Sequence, residues 1–221
     1  FALGSTVPSI VIGLLVALAM NGARRGTGIY RTVIFAPYIT PMVAVSVVWS
    51  WIFEPRVGIL NFVLELFGLP GSQWTQSSET AMLSVLIVTV WKSIGWTMIF
   101  YMEAIRKVPQ NLLEAAAIDG CPPMRTFWKI MFPMAQSGIV TVTIFNFINI
   151  WNEYFLSLIF ASSDKLKPVA PGLYGMINSM KYTGDWAGMF AAVIIVFLPT
   201  FILYIFLSEK IIGGVTGGIK G

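Results

Sequence analysis

The sequence predicts an all-α fold, a polytopic transmembrane helical bundle, on three observations. Of 221 residues 57% are apolar and only 11% are Asp, Glu, Lys or Arg, with a mean hydropathy of +0.79, whereas about 25% are charged in an average soluble domain. Five stretches, at 2–20, 32–53, 81–102, 136–160 and 187–207, reach the roughly 20 mostly apolar residues that a membrane-crossing helix needs. None shows the apolar/polar alternation of barrel strands, and open strands cannot satisfy their backbone in lipid, so the spans are helical.

The chain opens at Phe1 instead of Met, so an N-terminal piece is expected ahead of the first span. The second span holds Pro37 and Pro41; each removes a helix hydrogen bond and invites a kink, either as packing relief or to shape a translocation path. The third carries Lys92 and the last carries Pro199. Segment 103–135 is too polar to span. It reads as two short helices, the first capped by Asn111 with Glu114 three residues on and stopped by Gly120. Pro122 and Pro123 open the second, which runs through Phe127 and Ile130 until Pro133 closes it before the next span.

The fourth span holds a polar cluster. Asn146, Asn149 and Glu153 share one helix face, Asn152 lies to its side, and Trp151 and Tyr154 stand next to it. Amides and carboxylates bond hydroxyls in pairs and aromatic rings cover C–H surface, so this face suits a sugar path; interhelical polar glue is the competing reading. Glu153, near the external end, is also placed for a contact outside the membrane. The tail 208–221 carries five glycines from Ile212 onward, which suits either a frayed end or a thread through a narrow space.

Basic residues orient the chain. Arg24, Arg25, Arg31, Arg106, Lys107, Arg125, Lys129, Lys210 and Lys220 fall on one side, and Arg56, Lys165, Lys167 and Lys181 on the other. The richer side is cytoplasmic, which puts the C-terminus in the cytoplasm. The chain has no His and a single Cys121, so no metal site, no catalytic residue and no intrachain disulfide is expected. It lacks the GxxxxGK[ST] phosphate loop and cannot hydrolyse ATP by that route. Its basic residues mark loop ends, so no nucleic-acid partner is expected.

The string Val108-Pro109-Gln110-Asn111-Leu112-Leu113-Glu114-Ala115-Ala116-Ala117-Ile118-Asp119-Gly120, followed by Phe127, Ile130 and Phe132-Pro133, resembles the EAA loop of ABC importer permeases, more specifically of the carbohydrate-uptake, maltose-type subfamily. The resemblance implies that Glu114, Ala115, Ala116, Ala117, Asp119, Gly120, Arg125, Phe127 and Pro133 form a cytoplasmic coupling helix and its flank, seated in an ATPase subunit. It implies a substrate path along Asn146, Asn149, Trp151, Asn152, Glu153 and Tyr154, and a tail contact to the ATPase through Gly217, Gly218 and Lys220.

Trp49-Ser50-Trp51-Ile52-Phe53 and Gly58-Ile59-Leu60-Asn61 resemble one of the two permease types of such importers, while Trp151-Asn152-Glu153-Tyr154 and Gly217-Gly218-Ile219-Lys220-Gly221 resemble its partner. The implied protein is an inner-membrane, multi-pass permease, one transmembrane domain over 1–221, of about six spans when full length. Its implied partners are a second permease subunit, in a heterodimer ahead of a homodimer, an ATP-binding cassette dimer that uses ATP and Mg, an external solute-binding protein, and lipid. The chain itself is expected to bind no cofactor. A secondary transporter driven by an ion gradient, with Glu153 and Lys92 as coupling charges, is the alternative, and it leaves the 108–133 segment unexplained.

Overall fold

The computed structural model describes residues 1–21, 26–160 and 168–216. Among them the regular elements are helices: α1 (Ala2–Asn21), α2 (Thr27–Ile39), α3 (Met42–Ile52), α4 (Ile59–Leu66), α5 (Ala81–Arg106), α6 (Gln110–Ile118), α7 (Pro123–Thr126), α8 (Phe132–Trp151), α9 (Phe155–Phe160), α10 (Val169–Thr183) and α11 (Trp186–Thr216). Among the described residues four helical runs are long and apolar enough to cross a membrane: Ala2–Asn21, Ala81–Arg106, Pro123–Phe160 and Trp186–Phe206. The pair α2 and α3 makes a fifth, bent by 97°.

That bend is sharper than a kinked span over 32–53. Pro41 has no N–H to give to the Pro37 carbonyl, and Thr40, restricted by the following proline, turns extended at φ −67° and ψ 132°. The helix stops there and restarts at Met42. Pro37 itself lies inside α2.

Helix α5 is the axle of the bundle, with α1, α2, α8 and α9 packed on it. Small residues let the helices approach: Gly13 of α1 faces Thr97, and Gly138 of α8 faces Ala104. The closest approach is at Gly95. A Cβ there would meet the Ile34 carbonyl oxygen and lie 2.7 Å from Phe35 Cα, so the α2 backbone rests directly on α5.

Two apolar cores lie at opposite ends of this axle. Ala17, Met98, Tyr101, Met102, Ile105, Ala135 and Ile139 join α1, α5 and α8 at one end. At the other, Val45, Phe53, Trp74, Val85, Val88, Leu156 and Phe160 join α3, α5 and α9. The second core is closed by Asn61, which is 4% exposed. Its Nδ2 donates to the Pro55 carbonyl (2.8 Å) and the Ser72 carbonyl (2.9 Å), while its Oδ1 accepts from Ser72 N–H (3.0 Å) and Trp74 Nε1 (2.7 Å). This pins the 55–74 segment over Phe53, whose ring meets Trp74 at 5.4 Å.

Helix α2 has no buried residue, and none of the apolar window of α11 is buried inside the chain. Soluble folds do not leave such helices bare.

Candidate functional site

Helix α6 projects between α5 and α7. Its stop is as the sequence predicts: Gly120 sits at φ +68°, Cys121 N–H reaches the Ala116 carbonyl (2.9 Å) and Gly120 N–H the Ala117 carbonyl (3.1 Å). These two bonds close a Schellman motif, which needs the left-handed glycine. The start differs. The helix begins at Gln110 behind Pro109, with no side-chain cap, so Asn111 falls inside the first turn and cannot serve as the cap residue. Proline at 109 favours the extended conformation that precedes a helix, and the first turn forms without Asn111.

Pro133 does not close the second helix either. The run from Pro123 to Trp151 is continuous, passing through a π turn at Phe127–Met131 into α8. In that turn Phe132 N–H bonds to the Phe127 carbonyl, five residues back. The widened turn moves the carbonyls away from the Pro133 ring and absorbs its missing donor. Arg125, Phe127 and Pro133 are thus carried on one continuous helical run, separate from α6.

Along this segment Glu114, Ala115, Ala117, Asp119, Arg125 and Pro133 are exposed, Phe127 is half-buried beside Phe132 (6.0 Å), and Ala116 is buried. Ile118 is 86% exposed and Met124 69%. A cleft of about 460 Å³ between α6 and the α7 run is lined by Ala115, Ala116, Asp119, Gly120, Arg125 and Lys129.

The polar cluster of the fourth span is divided by a break in the helix. Helix α8 ends at Trp151 and α9 starts at Phe155, so Glu153 does not extend the Asn146–Asn149 face. Its carboxylate instead accepts from Leu156 N–H (2.6 Å), Ser157 N–H (3.2 Å) and the Ser157 hydroxyl. A carboxylate at a helix start meets otherwise unpaired N–H groups, which explains why the chain can turn at this point. Trp151 donates Nε1 to the Val196 carbonyl of α11 (3.2 Å), Asn152 bonds back to the Ile148 carbonyl (2.8 Å), and Tyr154 meets Tyr174 edge-on at 5.6 Å. Asn146 is 2% exposed, and its Nδ2 has no hydrogen-bond partner among the described residues.

Asn149 and Glu153 nevertheless line one cleft, of about 120 Å³, with Tyr38, Met42, Thr89, Lys92 and Ser93 among its other walls. The structure therefore brings two of the six path residues together and turns Trp151, Asn152 and Tyr154 to contacts elsewhere. The sequence pairs Lys92 with Glu153 only as coupling charges and gives no signal for Thr89, because the three walls come from elements far apart in the chain. Thr89 is 5% exposed, and its hydroxyl has no partner among the described residues. The tail residues Gly217, Gly218 and Lys220 lie outside the described residues. No group of three or more metal-ligating side chains occurs among the described residues.

The family model described as binding-protein-dependent transport system inner membrane component matches residues 9–209. Over 134 residues the chain is 33% identical to the sn-glycerol-3-phosphate transport system permease protein UgpA of Agrobacterium fabrum strain C58, covering 61% of this chain and 45% of that protein. It is 29% identical over 146 residues to the protein of the same name from Yersinia pestis, covering 66% and 49%. The chain spans about half the length of the curated relatives it matches. Among solved structures, a chain of a bacterial ABC transporter involved in the import of the acidic polysaccharide alginate superposes with a TM-score of 0.74 at 17% identity, over 94% of this chain and 77% of that one. The bacterial alginate ABC transporter in complex with an alginate pentasaccharide-bound periplasmic protein gives 0.73 at 19%, over 91% and 76%. At these identities the likeness is one of fold.

Proposed function

Because the chain belongs to the family of binding-protein-dependent transport system inner membrane components, we propose that it is a permease subunit of an ATP-driven ABC importer, moving a sugar or related polyol across the inner membrane by alternating access. The observation that carries this reading is α6. A short alanine-rich helix, seated on the bundle through Leu113 and Ala116, leaves Glu114, Ala115, Ala117 and Ile118 exposed, at the position where the family resemblance places a coupling helix. Small side chains allow close seating in a groove of an ATPase subunit, Glu114 and Asp119 fix register by charge, and the Gly120 stop keeps the knob short.

The rod from Pro123 to Trp151 gives this knob its reach. Its 29 residues, Pro123 to Trp151, span about 43 Å at 1.5 Å per residue, so a displacement at Arg125 and Phe127 is delivered to Asn149 without a joint. ATP and Mg act on the partner ATPase dimer; this chain answers by moving α8 against α5 around the cleft of Asn149 and Glu153. The bare faces of α2 and α11 suit a second permease subunit and lipid. An external solute-binding protein delivers substrate on the side opposite α6, and the excess of basic residues in the loops on the α6 side supports a cytoplasmic C-terminus. The polyol reading draws support from relatives named for sn-glycerol-3-phosphate and from a fold match to an alginate importer.

The test is co-purification of the full-length chain with the products of neighbouring genes, followed by ATPase measurement in lipid nanodiscs with and without the candidate binding protein. The reading expects an associated ATPase whose rate rises with the liganded binding protein. Absence of any ATPase in the purified complex would overturn it.

A further inference from the structure

Lys92 lies eleven residues into α5, about 16 Å from its start at 1.5 Å per residue and so near mid-span. A charge at that depth is costly unless it has partners. Its ammonium donates to three carbonyls: Pro37 (2.8 Å), Tyr38 (2.9 Å) and Thr40 (2.8 Å). These belong to the last turn of α2 and to its break. Pro41 has no N–H for the Pro37 carbonyl, and the chain turns away before Met42 can reach Tyr38. In lipid, water does not satisfy such groups. The cation also complements the negative end of the α2 dipole. One turn further along α5, Gly95 seats the Ile34 and Phe35 backbone, so the two residues hold the same stretch of α2.

We infer that Lys92 is a positioning residue that clamps the bend between α2 and α3 onto α5. The bend carries Tyr38 and Met42, which wall the cleft holding Asn149 and Glu153. The clamp therefore sets how far that cleft is open. With all three donors engaged on carbonyls, Lys92 holds the backbone, and release of the clamp frees α3 to swing. This goes beyond the importer reading, and the first readout below does not depend on it.

The experiment uses the full-length chain with its co-purified subunits in nanodiscs, in a Cys121→Ser background. Spin labels at Val33 and Val47, both exposed on α2 and α3, report the bend by pulsed dipolar spectroscopy. A control pair at Phe100 and Phe145, exposed on α5 and α8, reports general packing. Lys92→Met is expected to add a broad, displaced population to the 33–47 distance and leave the 100–145 distance unchanged. Lys92→Arg is expected to restore the narrow distribution, because a guanidinium also donates to several carbonyls. An unchanged 33–47 distribution in Lys92→Met overturns the inference, and so does equal broadening of both pairs. If Lys92→Met does not insert, Lys92→Gln, with two donors, is read in the same way, and a wild-type distribution there is the overturning result. The distances are read whether or not an ATPase associates, so failure of the clamp and failure of the importer reading are told apart.

Discussion

Replacing Gly95 by alanine tests the packing of the broken helix on α5. The added Cβ would sit 2.7 Å from Phe35 Cα and against the Ile34 carbonyl, where carbon atoms normally rest about 3.5–4.0 Å apart. Both obstacles are backbone, so no rotamer change relieves them, and α2 must retreat by about 1 Å to restore that spacing. Overpacking of this kind costs about 1–3 kcal/mol, while alanine regains about 1 kcal/mol of helix propensity. The retreat also lengthens the 2.8–2.9 Å bonds from Lys92, and each charge-assisted bond lost costs about 1.5–3 kcal/mol. The expected net destabilisation is about 2 kcal/mol, taking overpacking, propensity and one weakened bond together. Gly172 is the internal control, since a Cβ there meets nothing within 4 Å and Gly172→Ala is expected to stabilise by about 0.5–1 kcal/mol. Reversible unfolding in mixed micelles, followed by tryptophan fluorescence, measures both. If Gly95→Ala is as stable as Gly172→Ala, the direct seating of α2 on α5 is wrong.

Asn61→Leu leaves Trp74 Nε1, Ser72 N–H and two carbonyls without their partner and is expected to destabilise by about 2–4 kcal/mol; hydrogen exchange of the 55–74 segment should accelerate more than that of α5. Gly120→Ala forces a side chain into φ +68° at a cost of about 1–2 kcal/mol, so α6 should fray and ATP-driven uptake should fall while the isolated chain still inserts. Equal uptake would argue against a defined α6 as the coupling element. Asn149→Ala and Glu153→Gln probe the cleft: reduced uptake rate or affinity is expected, and wild-type values in both variants would remove the path role. Glu153→Gln keeps one acceptor for the start of α9, so a loss confined to Glu153→Ala would assign this residue to the helix break alone.

The crossings were readable from composition, because a helix in lipid needs only length and apolar side chains. The Gly120 stop was readable because its chemistry is local, five residues of backbone bonding closed by one left-handed glycine. Asn111 and Pro133 misled for the same reason in reverse. Each fits a local rule for a helix end, and each was overridden by what the neighbouring turn does: Pro109 lets the helix start two residues early, and the π turn at Phe127–Met131 carries the helix past Pro133.

The breaks at Thr40–Pro41 and Asn152–Tyr154 follow a different logic, one the sequence held only in pieces. A span broken at membrane depth exposes carbonyls at one side of the break and N–H groups at the other, and lipid satisfies neither. Lys92 answers the carbonyl end of α2 from 52–55 residues away, and Glu153 answers the N–H end of α9 from three and four residues away. The signs match the helix ends they serve. Two prolines four apart leave two carbonyls of a span, those of Val33 and Pro37, without their helical donors, and at the break the Pro37 carbonyl takes its donor from another helix. Lys92, offered by the sequence only as a coupling charge, supplies that donor. An intramembrane charge is therefore first to be matched to a broken helix end, and only a charge left over after that matching argues for ion coupling. By that count neither Lys92 nor Glu153 is left over, which removes the physical support for a transporter driven by these two charges.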